Sequence, residues 1–369
     1  MTKLERLIAE LCPNGVEYKP LEEVAQISNG KDHKPLADGN IPVYGSGGIM
    51  RYANKHIYDK ESVLIPRKGS IGNIFYVNIP FWTVDTIFYT IIDVDQITPK
   101  FLYYFLLTQH LEDLNIAGGV PSLTKSVLDK VKIPIPPLPI QQEIVRILDI
   151  FTGLQTELEA ELEARKKQYE HYRNLLFMFT DDIPIVPLGT IGTNLDSKRK
   201  PVTKNVRQSG EYPYYGASGI VDYVSYYIFE GDFLLVSEDG ANLVARNTPI
   251  AFSASGKIWV NNHAHVLQFN TYATRRYIEF YLNSIDLSRF ISTAAQPKLN
   301  QENLNKIPIP LPSLEEQACI VAILDRFDAL INDITSGLPA EIAGRRKQYE
   351  FYRDKLLTFK EKRGIDLIS

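Results

Sequence analysis

The chain has 369 residues, of which 44% are hydrophobic and 23% are charged, and its formal net charge at pH 7 is −4. This composition is typical of a folded globular protein and excludes a chain that is disordered throughout, while the length allows two domains of ordinary size. The negative net charge argues against indiscriminate coating of nucleic acid, so any nucleic-acid role must come from local basic patches.

The amino-terminal stretch MTKLERLIAELC predicts a short amphipathic helix within residues 1–15. It lacks the apolar core of a signal peptide, and the sequence contains no run of about 18 apolar residues that would predict a membrane span. Cys12 and Cys319 are the two cysteines of the sequence, and they lie far apart in it. Because a disulfide framework is therefore not expected, the sequence favours a reducing, cytoplasmic location.

An internal repeat organises the rest of the chain. Residues 120–151, VPSLTKSVLDKVKIPIPPLPIQQEIVRILDIF, align without a gap with residues 296–327, QPKLNQENLNKIPIPLPSLEEQACIVAILDRF, at an offset of 176. Shorter stretches match in the same way: FLYYFL with YIEFYL, and IPVYGSGGI with YPYYGASGI. We therefore predict two copies of one unit, each with a globular segment, a Pro-rich corner and a long helix.

The globular segments span residues 16–138 and 183–312, and we call them head 1 and head 2. Short apolar runs such as SVLIP and DFLLVS, bounded by Gly-rich turns, predict strands. The stretch TPKFLYYFLLTQHLEDL predicts a helix with Thr98 as its N-cap and Pro99 at its first position. Each head is therefore assigned to the α+β class. The corners IPIPPLP and IPIPLPSL should not be helical and mark an extended exit from each head.

A long helix is predicted after each corner, within residues 139–182 and 313–369. The first carries an unbroken heptad seam of apolar, aromatic and occasional polar residues over about five heptads. The second takes one extra four-residue step beside Gly337 and Pro339, which predicts a stutter with a kink or a short break.

The carboxyl-terminal parts of the two helices are near copies. RKKQYEHYRNLLFMF and RRKQYEFYRDKLLTF are identical at nine of fifteen positions. We predict that the helices pack against each other as an antiparallel coiled-coil spacer with pseudo-two-fold symmetry; the alternative is that each helix packs on its own head. Tyr–Arg stacking across the seam would suit the matched residues. They are Arg165, Tyr169, Tyr172, Arg345, Tyr349 and Tyr352.

The order of these parts resembles the specificity subunit of type I restriction–modification systems. The likeness covers essentially the whole chain, and its most specific element is the Pro-rich corner followed by QxxIVxxLD, at Gln141–Asp149 and again at Gln317–Asp325. It implies that the heads are target-recognition domains, each reading one half of a split, asymmetric site in double-stranded DNA. It implies that the helices set the distance between the half-sites.

The same resemblance implies partner proteins. Two adenine-N6 methyltransferase subunits would dock on the spacer helices, and S-adenosylmethionine would be bound in that partner. Two restriction subunits that translocate and cut DNA would join the methyltransferase core. The extra step in the second helix is a departure from exact two-fold symmetry.

The chain itself shows no motif for catalysis. An adenine-N6 methyltransferase needs an Asn/Asp-Pro-Pro-aromatic motif and a Gly-rich cofactor loop after a strand, and the sequence contains neither. His263 and His265 alternate as on a strand, with no further Cys or His nearby, so a structural role is favoured over metal ligation. We predict a non-catalytic subunit without a metal or cofactor of its own.

Basic and polar side chains on Gly-bearing loops are the candidates for DNA contact, because Lys and Arg bind phosphates and forked donors read base edges. The loop aligned with PRKG of head 1 is SEDG in head 2, so matched positions differ in chemistry, as expected for heads that read different bases. The candidates are Lys31, His33, Lys34, Arg67, Lys68, Ser70 and Asn73 in head 1, and Lys198, Arg199, Lys200, Lys204, Arg207, Asn242 and Arg246 in head 2.

Two competing interpretations remain open at this stage. One is a stand-alone bivalent DNA-binding or architectural protein without a catalytic partner. The other is an enzyme whose active site the sequence does not reveal. Purification of the chain alone separates the first from a subunit of a complex, because unpartnered spacer helices would expose docking surface. An assay with labelled methyl donor tests the second.

Overall fold

The structure is a computed structural model that describes residues 1–115, 121–240, 242–246, 248–292 and 297–362. The tail predicted within residues 313–369 falls partly on residues 363–369, which lie outside the described residues. Across the described ranges, no helix combines the length and the apolar character that a membrane crossing needs.

The described residues form two compact units. Unit 1 comprises Met1–Leu158 and the described part of Ile342–Ser369, and unit 2 comprises Glu159–Glu341. Unit 1 therefore combines an early and a late part of the chain, whereas unit 2 is continuous in sequence.

Unit 1 begins with the predicted amino-terminal helix, α1, Lys3–Leu11. Thr2 caps it, because the Thr2 side chain accepts a hydrogen bond from Glu5 N while the Glu5 carboxylate accepts one from Thr2 N. The following elements are β1 (Glu17–Pro20), α2 (Leu21–Val24), β2 (Ala25–Asn29), β3 (Asp38–Gly45), β4 (Gly48–Ala53), β5 (Ser62–Pro66), β6 (Phe75–Val77), β7 (Trp82–Thr83), β8 (Ile87–Ile92), α3 (Pro99–Leu106), α4 (Lys125–Leu128) and β9 (Lys132–Ile135).

The strands of head 1 form sheets with the orders β2-β8-β5-β6 and β4-β3-β7, and β1 pairs with β9. The core of unit 1 includes Ile65 of β5 and both Phe101 and Leu102 of α3, all fully buried. α3 starts at the predicted Pro99 but ends earlier than predicted, at Leu106. The later part of the predicted helix turns instead at His110, whose φ is +43°, and forms a 3-10 turn at Leu111–Leu114.

The first long helix, α5, spans Leu138–Leu176. It begins inside the predicted non-helical corner, because Pro139 occupies the first turn, where the missing N–H leaves no hydrogen bond unmade. The seam positions Ile144 and Leu148 are fully buried in the core of unit 1. The later seam positions up to Leu176 are half-buried apart from Tyr172, whereas most positions between them are exposed, in agreement with the predicted heptad pattern.

Unit 2 contains head 2. Its elements are β10 (Ile185–Pro187), β11 (Thr193–Asn194), β12 (Ser209–Gly216), β13 (Gly219–Val224), β14 (Phe229–Ser237), α6 (Asn242–Ala245), β15 (Ala251–Val260), β16 (Ala264–Gln268), α7 (Tyr272–Ser284), α8 (Gln301–Asn305) and β17 (Pro308–Pro310). Short 3-10 turns lie at Leu188–Thr190, Asp196–Lys198, Lys204–Val206 and Ser288–Phe290.

The strand pairing of head 2 repeats that of head 1. β3 pairs antiparallel with β4 and parallel with β7, and β12 pairs antiparallel with β13 and parallel with β15. β5 lies between β8 and β6, and β14 lies between β16 and β15. The pair β1–β9 recurs as β10–β17. The predicted α+β class and the predicted tandem repeat are confirmed.

The second long helix is broken where the stutter was predicted. α9 spans Leu314–Asn332 and α10 spans Leu338–Leu356. In the gap, the Asp333 carboxylate accepts hydrogen bonds from the backbone N–H groups of Thr335 at 2.7 Å and Ser336 at 3.3 Å. Side-chain hydrogen bonds from Ser336 and Thr335, together with these backbone bonds, hold the pKa of Asp333 well below its usual value. The segment is therefore a hydrogen-bonded turn.

The repeated QxxIVxxLD motif connects each long helix to its head. In unit 1, the buried Gln141 amide donates to Pro136 O at 2.8 Å, and its oxygen accepts from Thr98 N at 2.8 Å. Asp149, the last residue of the motif, accepts from Lys100 Nζ of α3 at 2.7 Å. The motif therefore fixes the helix both to the corner and to the helix of the head.

The second motif makes matching contacts in unit 2. The Gln317 amide donates to Pro312 O at 2.8 Å, and its oxygen accepts from Thr274 Oγ1 at 2.9 Å. Asp325 accepts from Arg276 Nε of α7 at 2.9 Å. The residues that carried the family resemblance thus have a structural role in joining head and helix.

Aromatic stacking joins the long helices within each unit. In unit 1, Tyr352 of α10 stacks on Phe151 of α5, with ring centroids 5.5 Å apart. In unit 2, Tyr172 of α5 stacks on Phe327 of α9 at 5.7 Å. These pairs occupy matched positions of the repeat. The start of each helix also packs on its own head, since Ile320 belongs to the core of unit 2, so both packing modes that we considered occur. A continuous coiled-coil spacer agrees with these contacts and stays a prediction.

Tyr–Arg contacts occur within each long helix. Arg173 lies over the Tyr169 ring at 5.5 Å, and Arg353 lies over the Tyr349 ring at 5.7 Å, each four residues along the same helix. Arg165 contacts Glu161 and Gln168 on its own helix. Arg345 is exposed and lies within hydrogen-bond distance of Gln348. Stacking of Arg165 and Arg345 on tyrosines across the seam stays a prediction.

Candidate nucleic-acid interface

Loops of head 1 converge on the segment between β7 and β8. The Trp82 indole donates to Lys31 O at 2.9 Å, and Lys31 N donates to Thr83 O at 2.8 Å. Val84 N donates to Tyr44 O at 3.0 Å, which brings the β3–β4 hairpin to the same place. The loop around Lys31 and this hairpin are thus held by backbone hydrogen bonds against one central segment.

A cleft opens where these loops meet. It is lined by His33 and Lys34 of one loop, by Ser46 of the hairpin turn and by Thr86 of the central segment. Lys31 and Lys34 are exposed and His33 is half-buried. The sequence-predicted residues Lys31, His33 and Lys34 are therefore brought together beside an open groove.

The second candidate loop of head 1 is attached to the same segment. Thr86 O accepts from Arg67 N at 2.9 Å and lies 3.4 Å from Lys68 N. Lys68, Ser70 and Asn73 are exposed. Arg67 is half-buried, and its guanidinium lies 4.9 Å from the centre of the Phe88 ring. Its side chain therefore stabilises the loop rather than extending from it into solvent.

Head 2 repeats this backbone frame. The Trp259 indole donates to Lys200 O at 2.7 Å, as Trp82 does to Lys31 O. Asn261 N donates to Tyr215 O at 3.1 Å. The loop that carries the predicted basic cluster of head 2 is therefore the structural counterpart of the loop around Lys31.

The basic cluster of head 2 divides into exposed and internal residues. Lys198, Lys200 and Lys204 are exposed. The side chain of Arg199 is 13% exposed, and its guanidinium contacts Glu238 at 2.5 Å and Ala264 O at 2.8 Å. Because these partners occupy its donors, Arg199 stabilises the loop, and its contact with DNA stays a prediction.

Arg207 is also an internal residue. Its guanidinium lies 4.2 Å from the centre of the Tyr214 ring, donates to Val202 O at 3.0 Å and pairs with Asp222 at 3.1 Å. Arg207 therefore has a structural role, and its contact with DNA stays a prediction.

Asn242 and Arg246 close a loop beside α7. The Asn242 side chain donates to Thr248 O at 2.9 Å and accepts from Thr248 N at 3.0 Å. Arg246 donates to Ile285 O at 3.0 Å and lies 3.4 Å from Leu282 O, so it satisfies carbonyls at the carboxyl end of α7. Burial lowers the pKa of Arg246. These contacts give Asn242 and Arg246 a structural role, and their contact with DNA stays a prediction.

Beneath the loops of head 2 lies a cluster of ionisable groups: Asp196, Glu238 and His265, whose potential ligand atoms lie within 4.8 Å of one another. His265 Nδ1 is 2.6 Å from the Asp196 carboxylate, and His265 Nε2 is 2.7 Å from Leu299 O. Both ring nitrogens of His265 therefore have partners within the protein.

Cations balance the two carboxylates of this cluster. Burial raises the pKa of Asp196, but hydrogen bonds from His265 and Val266 N, together with the nearby charges, outweigh it, so the pKa lies below its usual value. Burial raises the pKa of Glu238 as well, and hydrogen bonds from Arg199 and Lys298 bring it below its usual value. The cluster is thus built as an ion-pair network.

The sequence analysis missed two features of these surfaces. His263, considered only as a metal ligand, is 48% exposed, with Nδ1 placed 2.9 Å from the Asp239 carboxylate. The hairpins β3–β4 and β12–β13 expose matched apolar residues to similar extents. These are Ile49 (49%), Met50 (58%) and Tyr52 (51%), and Ile220 (47%), Val221 (55%) and Tyr223 (51%). Alignment of GGIMRY with SGIVDY, and of WTVDT with WVNNH, would have revealed both.

Comparison with known proteins gives matches along nearly the whole chain. A family model described as the type I restriction modification DNA specificity domain matches residues 13–165 and again residues 181–343. A type I restriction enzyme specificity subunit of Haemophilus influenzae is 32% identical over 97% of this chain and 98% of its own length. The EcoR124I/EcoR124II specificity subunit of Escherichia coli is 33% identical over 97% of both chains.

Solved structures share the fold. The S subunit of a type I restriction-modification system from M. genitalium has a TM-score of 0.63 at 17% identity, covering 93% of this chain and 96% of that one. A chain from a structural study of complex assembly in the type I R-M system has a TM-score of 0.57 at 16% identity, covering 94% and 98%.

Proposed function

The chain belongs to the family of type I restriction–modification DNA specificity subunits, and we propose that head 1 (residues 16–138) and head 2 (residues 183–312) each read one half of a bipartite, asymmetric site in double-stranded DNA. Members of this family recognise DNA and are not catalytic; methyl transfer and cleavage lie in other subunits. S-adenosylmethionine accordingly belongs to a methyltransferase partner, and the complex works in the cytoplasm.

The proposal rests on a backbone arrangement that both heads share, while the exposed side chains on their loops differ. Both heads hold their loops by the same indole-to-carbonyl bond, from Trp82 to Lys31 and from Trp259 to Lys200. The exposed side chains on those loops differ between the heads. A common scaffold with exchanged surface residues is what two readers of different sequences require.

The contact residues are the exposed members of the predicted set and the half-buried His33. Exposed lysines bind phosphates or the acceptor atoms of base edges, while Ser70, Asn73 and His33 offer short donors and acceptors that suit base edges. The lysines are Lys31, Lys34 and Lys68 in head 1, and Lys198, Lys200 and Lys204 in head 2.

The spacer helices dock two adenine-N6 methyltransferase subunits, and two restriction subunits complete the cutting complex. Support comes from the repeat: α5 and the α9–α10 pair present near-identical sequences at their carboxyl-terminal ends. Duplicated surfaces are suited to binding two copies of one partner.

The DNA contact is tested with the complex of the full chain and its methyltransferase partner. The triple variant Lys198→Ala/Lys200→Ala/Lys204→Ala should weaken binding to the cognate duplex and lower the slope of log affinity against log salt by about 2–3, near 0.9 per lost phosphate contact. Lys306→Ala, which removes an exposed lysine directly before β17, should leave the slope unchanged. An unaltered slope in the triple variant would contradict the assignment.

The spacer is tested by a change of length. Four residues inserted into α5, or deletion of the extra four-residue step between α9 and α10, should change the number of base pairs between the half-sites and leave the half-site bases as they are. Sequencing of methylated adenines in cells that carry each variant measures both. An unchanged spacing would reject the role of the helices as a ruler.

The alternative of a stand-alone bivalent DNA-binding protein makes a different prediction. The isolated chain would then bind its site as tightly as the complex does. Our proposal expects the isolated chain to be poorly soluble or to bind weakly, because its docking surfaces lack their partner.

A further inference from the structure

We infer that Asp239 and His263 of head 2, and the matched Lys68 and Thr86 of head 1, are the positions at which the two heads are tuned to different bases, with His263 a specificity-determining residue held by Asp239. This inference rests on the proposed DNA-recognition function and identifies residues that act in it. The inference follows from backbone hydrogen bonds that are the same in both heads, at positions whose side chains differ in chemistry.

The backbone around these positions is the same in both heads. Arg67 N donates to Thr86 O at 2.9 Å, and Glu238 N donates to His263 O at 2.9 Å. Leu123 N donates to Arg67 O at 2.8 Å in head 1. In head 1, the bond places the loop after β5 directly beside the segment that leads into β8. In head 2, it places the loop after β14 directly beside the segment that leads into β16.

A second pair of contacts repeats as well. Leu299 N donates to Glu238 O at 2.8 Å, as Leu123 N does to Arg67 O. Lys68 forms an isolated bridge with Ser122, and Asp239 forms one with Lys298. The positions 68 and 239 are therefore structural equivalents, as are 86 and 263.

The side chains at these equivalent positions are opposite in character. In head 1, Lys68 is exposed, and its backbone N lies 3.4 Å from Thr86 O. In head 2, Asp239 is 17% exposed, and its two carboxylate oxygens each lie 2.9 Å from His263 Nδ1. His263 N also donates to Asn261 Oδ1 at 2.8 Å. The half-exposed imidazole is thus oriented through both its ring and its backbone.

The orientation determines what His263 presents to DNA. A carboxylate accepts, so Asp239 places hydrogen on Nδ1, and in the neutral ring Nε2 is then an acceptor. An acceptor in the major groove pairs with the exocyclic amine of adenine or cytosine, whereas Lys68 donates to the O6 and N7 acceptors of guanine. Head 2 should therefore select an amino-bearing base at the position where head 1 selects guanine.

The cations near Asp239 pair with its neighbour Glu238. Lys298 lies 2.9 Å and Arg199 2.5 Å from the Glu238 carboxylate, and Asp239 also contributes to raising the pKa of Lys298. The side chains of His263 (48%) and Lys298 (50%) are each about half exposed.

The test uses the complex of the full chain with its methyltransferase partner and a panel of duplexes. The wild-type site is first mapped by sequencing of methylated DNA, and each base pair of both half-sites is then replaced in turn. His263→Ala should lower affinity for the cognate duplex about tenfold and abolish discrimination at one base pair of the head 2 half-site, the size of one lost base-edge hydrogen bond. Discrimination in the head 1 half-site should not change.

Two further variants of head 2 separate a base-reading role of His263 from a structural one, and a third variant tests head 1. His263→Gln keeps a side-chain acceptor and should recover part of the lost discrimination. Asp239→Asn should reduce discrimination at the same base pair, because it releases the ring. Lys68→Ala should act instead on one base pair of the head 1 half-site.

The outcomes are distinguishable. A wild-type complex without any sequence preference would overturn the proposed function itself. A wild-type preference that His263→Ala leaves intact at every position would overturn this inference alone. An equal loss at all positions of the head 2 half-site, with a lowered melting temperature and no recovery in His263→Gln, would show that His263 is structural and would overturn the inference as well.

Discussion

The same three positions beneath the recognition loops carry different chemistry in the two heads. In head 1 they are Asn29, Arg67 and Phe88, where the Arg67 guanidinium lies 4.9 Å from the Phe88 ring centre and 3.4 Å from Asn29 Oδ1. The strand registers that define these positions match, since Ile65 pairs with Phe88 in head 1 as Val236 pairs with His265 in head 2. Head 1 thus holds a single cation on an aromatic ring.

Head 2 places Asp196, Glu238 and His265 at the corresponding positions. The two carboxylates are compensated by His265 and by Arg199 and Lys298, which come from other loops. A buried charge is tolerated only when partners accompany it. The comparison teaches that the fold can reverse the charge under a recognition loop, provided that compensating charges are exchanged together with it.

A second difference concerns the junction between head and long helix. Lys100 of head 1 pairs with Asp149 at 2.7 Å, and its side chain is 37% exposed. In head 2 the matched Arg276 is 11% exposed and contacts Asp325 at 2.8 Å and Asp328 at 3.0 Å. The two junctions share a design but differ in burial, and burial determines the cost of breaking them.

Removal of Arg276 should have the largest effect. Arg276→Ala leaves Asp325, Asp328 and the buried Glu279 without their shared cation, so we expect a loss of about 3–5 kcal/mol in the free energy of unfolding of unit 2. Lys100→Ala should cost less than about 1 kcal/mol in unit 1, because its pair is partly solvated. Urea unfolding of the full chain measures both losses. Equal losses would show that burial does not distinguish the junctions.

Glycines of the two long helices give a second, smaller contrast. A Cβ on Gly337, in the break between α9 and α10, would lie 2.5 Å from Ala329 O, and the backbone must move to accommodate it. Gly337→Ala should therefore destabilise unit 2 by about 1–3 kcal/mol. A Cβ on Gly153, inside the unbroken α5, meets no atom within 4 Å.

Gly153→Ala is thus the matched control. It should stabilise α5 by up to about 1 kcal/mol, because Ala has the higher helix propensity. Thermal unfolding of both variants provides the measurement. A stabilising Gly337→Ala would mean that the break can close into a continuous helix.

Glu143 provides a contrast that depends on pH. It is 3% exposed, and hydrogen bonds from Arg146 and then Lys3 lower its pKa to about 2 from a reference value of 4.5. The matched residue of unit 2 is the exposed Cys319. Because the pKa is lowered in the folded state, the stabilisation by Glu143 is complete above pH 4.5 and is lost as pH falls towards 2.

Glu143→Gln should accordingly cost about 1–2 kcal/mol at neutral pH, since the cationic partners are largely exposed and screened. The difference in melting temperature between wild type and variant should shrink as the pH falls below about 4.5. Glu302→Gln, which removes an exposed helix pair, should have a smaller effect than Glu143→Gln. A difference for Glu143→Gln that is the same at pH 7 and pH 3.5 would contradict the assigned pKa.

Features that are periodic or repeated in the sequence were predictable. The offset of 176 located both heads and both corners, and the heptad spacing located the long helices, because these patterns report local geometry directly. The break near Gly337 followed from the four-residue step. Its hydrogen-bonded turn at Asp333 did not, since a cap depends on the backbone path of the residues that follow.

Which cations are exposed could not be read from the sequence. Arg199, Arg207 and Arg246 have the composition of a DNA-binding loop, yet each is held by acceptors far away in sequence, such as Glu238, Asp222 and Ile285. Only the three-dimensional arrangement brings these acceptors close. The lysines of the same loops remained exposed, consistent with their longer, more strongly hydrated ammonium groups.

Unit 1 combines an early and a late part of the chain, and this affects the order in which the two units can fold during synthesis. Val16 N donates to Lys360 O at 2.9 Å, Lys362 N donates to Val16 O at 2.8 Å, and Leu357 lies in the core with residues of head 1. Unit 2 is continuous and can mature as soon as Glu341 has left the ribosome. Head 1, although translated first, lacks part of its core until Leu357 has also been made, roughly 1–3 s later at about 5–20 residues per second. During nascent growth the later head should therefore be the first to acquire its native state.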